Sequence, residues 1–174
     1  MRPTILALDL EGTLISNAVS QIPRPGLYSF LEHVQGQFDQ LVMFTTVEEG
    51  LFRRIATFLV LEGQAPAWFS ELAYTQWEGT TKDLTYVAPT LGQALLLDDY
   101  RAYFHPEQEP WWIEVPLFGS PYEATDTGLR VAQECNDPLN SCSGVNFPQG
   151  DADERNDGGR DQALDRPAQV GAGP

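Results

Sequence analysis

Three short apolar runs punctuate the first hundred residues, and each stops at a polar cluster. Ile5-Leu6-Ala7-Leu8 runs into Asp9, Leu41-Val42-Met43-Phe44 into Thr45-Thr46, and Ala94-Leu95-Leu96-Leu97 into Asp98-Asp99. Runs this short and apolar at every position predict strands buried on both faces, over residues 4–9, 41–45 and 94–98. Between them the pattern changes to a 3.6-residue period. Leu27, Phe30, Leu31 and Val34 mark one helix, with Pro25 where a first turn tolerates it; Leu51, Phe52, Ile55, Phe58 and Leu59 share a face of a second. Leu72-Ala73-Tyr74 and Trp112-Ile113-Glu114-Val115 read as further strands, and Thr125 or Asp126 is placed to cap a last helix carrying Leu129 and Val131. Buried strands alternating with amphipathic helices give an α/β class, a Rossmann-like, mostly parallel sheet with helices on both faces. Ligands of such sheets bind beyond the carboxyl ends of the strands. All three polar clusters lie there.

The pattern stops near residue 134. Residues 135–174 are rich in Asp, Gly, Asn, Gln and Pro and poor in aromatic and branched apolar side chains. Such a stretch buries too little apolar area to offset its ordering entropy and reads as a disordered acidic tail to a single domain, residues 1–134. The net charge of −15 is not a tail effect, because residues 1–134 alone hold 18 acidic and 7 basic side chains. That balance argues against long nucleic acids, which need a basic stripe that the scattered cations do not form. It also gives no long-range attraction for an anion, so any phosphate must be held locally, by a metal and a few donors. No apolar run approaches the ~18 to 20 residues of a membrane span. The first run reaches Asp9 too early for a signal peptide, so the expectation is a cytoplasmic protein with no membrane partner. Cys135 and Cys142 lie in polar sequence without His or Cys partners at metal-ligand spacing and read as free thiols. His33 and His105 show no ligand spacing, and Arg24, Arg53, Arg54 and Arg101 could aid anion binding but read first as solvated surface cations.

The strand-end clusters carry the chemistry. Asp9 and Glu11 leave a buried strand into a Gly12-Thr13 turn, where Gly permits the tight bend. A carboxylate there can attack phosphorus, and a second carboxyl two residues on can move the proton of the leaving oxygen and of the attacking water. The plainer alternative is a pair of solvated acids in a turn. Thr45 and Thr46 both fit a Thr-x-x-Glu capping box with Glu48 and Glu49, so one can cap a helix while the other binds a phosphoryl oxygen. Lys82 is the single lysine, in a loop entering a short helix, and can balance phosphoryl charge and keep a nucleophilic carboxylate ionised. Asp98 and Asp99 lie at the end of the strand expected over 94–98. Mg²⁺ takes oxygen ligands and keeps several waters, so Asp9 with Asp98 or Asp99, plus the Glu11 carbonyl, would suffice to hold it.

In this order the motifs resemble those of the haloacid dehalogenase-like superfamily: an acid-x-acid-Gly-Thr start, a strand-end Thr, a Lys and an acidic pair. Arg24-Pro25-Gly26, Phe44-Thr45-Thr46, Thr81-Lys82-Asp83-Leu84, Leu97-Asp98-Asp99, Val115-Pro116-Leu117-Phe118 and Asp126-x-x-Leu129 are similar to the CTD-phosphatase-like (NLI-interacting-factor-like) branch. The resemblance implies a Mg²⁺-dependent phosphomonoesterase without a large cap domain, acting on phosphoserine or phosphothreonine proteins. It implies Asp9 as phosphoryl-accepting nucleophile, Glu11 as acid/base, Thr45 for phosphate, Lys82 steadying the phosphoaspartate, and Asp98 and Asp99 for the metal. Glu11 departs from the usual second aspartate by one methylene, a displacement of ~1 Å that can slow turnover ~10²-fold. Two other classes stand beside this one: a nucleotide or small-metabolite phosphatase, and a non-catalytic protein that binds phosphorylated ligands on the same scaffold. Each takes a phosphorylated partner; the oligomeric state is left open.

Overall fold

The structure, a computed structural model, describes residues 2–136. The expectations for the tail beyond residue 136 and for the thiol of Cys142 lie outside the described residues, as does the side chain of Cys135. Five strands, β1 (Ile5–Leu8), β2 (Gln40–Met43), β3 (Ala73–Tyr74), β4 (Ala94–Asp98) and β5 (Trp112–Glu114), form one parallel sheet in the order β3-β2-β1-β4-β5. Its α-helices are α1 (Leu27–Gln35), α2 (Glu49–Leu61) and α3 (Gly128–Asn136). From β1 the chain builds outward to β3, then crosses back to lay β4 on the other side of β1 and β5 beyond it. The reversal puts the topological switch point between β1 and β4. In-register pairing of Leu8 with Leu97 brings the residues after both strands to one place.

The two faces of the sheet are covered differently. Leu6, Leu8, Leu41, Met43, Leu95 and Leu97 pack with the buried stripes of α1, α2 and α3. Ala7, Val42, Ala94 and Leu96 face Leu84, Ala88, Phe104 and Trp112, carried largely by short 3-10 turns and their connections. This division is what right-handed crossovers produce when the direction of strand addition reverses.

Local departures from the sequence pattern have local causes. Phe58 is 56 % exposed, and the buried stripe of α2 is Phe52, Ile55, Ala56 and Leu59. Six residues past Phe52, a side chain stands about 120° around the helix from it. On α3 the buried partner of Leu129 is Ala132, while Val131 is 44 % exposed. The capping box at Thr45-Thr46 does not form. The chain turns first, with Val47 N–H donating to Thr45 Oγ1 at 3.3 Å, and α2 starts later with Glu48 as an N-cap lacking a side-chain bond. At α3 the expected cap does act: Asp126 Oδ1 accepts from Gly128 N–H at 3.0 Å.

Candidate active site

Asp9 follows β1 and Asp98 closes β4, tied by a bond of 3.0 Å from Asp9 N–H to the Leu97 carbonyl. Both are buried, as is Lys82, which reaches them from the β3–β4 connection. Its Nζ lies 2.6 Å from Asp9 Oδ1 and 2.5 Å from Asp98 Oδ2. Residues 73 and 16 positions apart from the lysine thus share one ammonium. Thr13 Oγ1 donates to Asp99 Oδ1 at 2.8 Å and lies 3.3 Å from Asp9 Oδ2. Asp9, Asp98 and Asp99 each offer an oxygen within 4.8 Å of the others.

This crowding shows in the titration of the groups. Burial raises Asp98 first and the charge of Asp9 adds to it; Lys82 and the Tyr100 N–H oppose them incompletely, leaving Asp98 at about 6. Asp99 is raised by burial and by Asp9, against the Thr13 hydroxyl. Burial alone would lower the Lys82 ammonium, but the carboxylates of Asp9 and Asp98 outweigh it and its pKa is raised. One buried cation faces more negative charge than it balances. A cluster of converging carboxylate oxygens short of positive charge fits a hard divalent ion.

Glu11 sits beside this group without joining it. Its Oε1 accepts from Ala18 N–H at 2.5 Å, bracing the turn that Gly12 begins. Gly12 has φ +75°, and a Cβ there would stand 2.5 Å from Asp99 Oδ2 and 2.7 Å from Leu117 Cδ1, so both the turn and the close approach exclude a side chain. A cavity of about 300 Å³ opens over these residues, lined by Asp9, Glu11, Gly12, Ser16, Thr46, Asp99, Tyr100, Tyr103 and Leu117. Of the threonine pair, the exposed Thr46 lines the cavity, whereas Thr45 is buried, its carbonyl held at 2.9 Å by the Trp77 indole N–H. Phe104 packs in the core, 5.1 Å from the Trp112 ring.

Arg24 corrects the surface reading of the arginines. It is fully buried, bidentate to Asp126 at 2.6 and 3.1 Å, and donates to the Thr13 carbonyl at 3.2 Å. A Cβ on Gly128 would run into its guanidinium, which explains a glycine at the start of α3. Arg53 is also structural, donating to the Ser70 and Leu72 carbonyls. The pairing ties the turn after Asp9 to the start of α3.

Gln108 carries no sequence signal, yet it is buried and fixes the lysine loop. Its Oε1 accepts from Leu84 N–H and its Nε2 donates to Asp83 Oδ1, both at 2.8 Å, while Lys82 N–H donates to the Tyr103 carbonyl at 2.6 Å. Burial pushes Asp83 up, but the bonds from Thr85 and Gln108 prevail and hold it below the usual carboxylate range. Gln108→Leu should therefore cost about 1–3 kcal/mol in thermal unfolding by stranding the Leu84 N–H. By loosening Lys82 it should also lower kcat more than it changes KM; unchanged kcat would remove Gln108 from any positioning role.

Residues 4–146 match the NLI interacting factor-like phosphatase family, from just before β1 through all five strands. The chain belongs to that family. No curated protein matches the chain. Membership places the protein among phosphatases, with a phosphorylated substrate, and the acidic cluster at the switch point agrees with the family's use of a metal. Among the described residues no helix is long and apolar enough to cross a membrane.

Proposed function

We propose that the protein hydrolyses phosphate monoesters by double displacement through Asp9. The observation that carries this reading is the ammonium of Lys82 bonded to both Asp9 and Asp98 at the switch point of the sheet. A buried carboxylate bonded to and aimed by a cation is a prepared nucleophile. Asp98, Asp99 and Asp9, with the Glu11 carbonyl, would hold Mg²⁺, which when bound supplies charge neutralisation and orientation to the phosphoryl group.

Asp9 attacks phosphorus as the bond to the leaving oxygen breaks, and Glu11 delivers a proton to that oxygen. Glu11 then takes a proton from water as the water attacks the phosphoaspartate, releasing inorganic phosphate and restoring Asp9. Lys82 offsets the charge on the phosphoryl oxygens in both steps, and Thr46, lining the cavity, is placed to donate to one of them. Thr45 serves by shaping the chain that presents Thr46.

Hydrolysis of 4-nitrophenyl phosphate should require Mg²⁺ and stop in EDTA, and acid quenching during turnover should trap phosphate on the peptide containing Asp9. Turnover without trapped phosphate, or undiminished by EDTA, contradicts the scheme. Glu11→Gln should lower kcat by about 10²-fold or more, the usual contribution of a positioned acid/base. A folded protein that binds phosphonates and turns over no ester would instead be a phospho-ligand binding protein.

A further inference from the structure

The cavity walls beyond the phosphate position carry a specificity that the acidic cluster does not explain. Tyr100, Tyr103 and Leu117 are 53 %, 38 % and 66 % exposed, and all three line the cavity instead of packing into the core. The two tyrosine rings meet edge to face at 4.9 Å, and the Tyr103 ring lies 6.0 Å from Lys82 Nζ. An exposed aromatic pair thus begins where the phosphoryl-handling ammonium ends. Among the described residues, the charged ones lining the cavity are Asp9, Glu11 and Asp99, and no Arg or Lys lines it.

These two facts select a leaving group. A second phosphate or an acidic flank would find no cation beyond Lys82 among these residues and would face the carboxylates, while a neutral planar ring would find aromatic and aliphatic walls. The methylene of a phosphoserine offers such walls far less surface than a ring does. Resting on the phosphatase reading above, we infer that the substrate is a monophosphate ester of an aromatic alcohol, an aryl phosphate, held by its ring between Tyr100, Tyr103 and Leu117. A phosphotyrosyl side chain and a free aryl phosphate share this chemistry.

Leaving-group reactivity favours aryl esters on any phosphatase, so binding of inert analogues is the decisive measurement. The full chain with Mg²⁺ is titrated calorimetrically with phenylphosphonate and methylphosphonate, and both are assayed as inhibitors of 4-nitrophenyl phosphate hydrolysis. The phenyl compound should bind about tenfold more tightly, the scale of one aromatic contact, and Tyr100→Ala with Leu117→Ala should cut that preference to about twofold. Equal binding in the unmodified protein, or a preference that the double variant leaves intact, overturns the inference. Absence of hydrolysis defeats the phosphatase reading separately, because the calorimetric ratio is still measured. Comparing a phosphotyrosyl peptide with phenyl phosphate then assigns the source: a higher kcat/KM on either supports the aryl class, whereas faster turnover of a nucleoside triphosphate than of both overturns it.

Discussion

Asp9→Asn is expected to lower phosphatase turnover by at least about 10⁴-fold while leaving the protein folded, the scale on which loss of a nucleophile acts. Asparagine keeps the volume of the side chain, and its amide oxygen can still accept from Lys82 Nζ, so the packing at the end of β1 is undisturbed. Its carbonyl oxygen is a poor nucleophile, and the first displacement fails. The metal-free variant should be no less stable than the parent, because one of three crowded carboxylates has lost its charge. A thermal unfolding curve beside the rate measurement therefore separates lost chemistry from lost structure. Full activity in a folded Asp9→Asn protein would remove Asp9 from the mechanism, and Glu11 or Asp99, both lining the same cavity, would have to be tested in its place.

What the sequence disclosed follows from the physics of each element. The strands after which Asp9, Thr45 and Asp99 come were legible because a strand buried on both faces must be apolar throughout, and only its end can turn polar. The stripe of α1 was legible because Leu27, Phe30, Leu31 and Val34 bury one face and nothing else competes. Lys82 stood out as the only lysine, and burial against Asp9 and Asp98 is the reason that loop needs a cation. The capping box failed because the sequence does not say how far a strand-end turn runs before helical dihedrals begin. Gln108 was invisible: a buried amide satisfied by Leu84 and Asp83 leaves no periodicity and no motif. Arg24 was misjudged for a related reason. A single arginine looks solvated until its partner, Asp126, is brought to it from 102 residues away.

The Arg24–Asp126 pair provides the second large effect. Asp126→Ala removes the partner of a guanidinium with no exposed surface, and breaking such a pair costs about 3 kcal/mol, the low end of the range because Asp126 keeps 21 % of its side chain exposed. Chemical denaturation at pH 7 should register that loss. The pH dependence has a definite sign. Hydrogen bonding from Arg24 is the main cause that holds Asp126 below its ordinary value in the folded protein. Its contribution is therefore complete above the unfolded value of about 4 and is lost as pH falls through the lower folded value. The gap between parent and Asp126→Ala should be constant from pH 6 to 8 and close progressively below pH 4. A gap that persists at pH 2 would assign the effect to packing and to the lost cap on Gly128 instead of to charge. Because Arg24 also donates to the Thr13 carbonyl, and Thr13 bonds the carboxylate of Asp99, the freed guanidinium should disturb the catalytic turn. Turnover at pH 7 should fall even at temperatures where Asp126→Ala remains folded. Replacing both partners, as Arg24→Met with Asp126→Leu, removes the stranded charge and should recover most of the stability. It should not recover the turnover, since the Thr13 carbonyl still lacks its donor. That split between stability and rate identifies the pair as the strut that holds Gly12 and Thr13 against the acidic cluster.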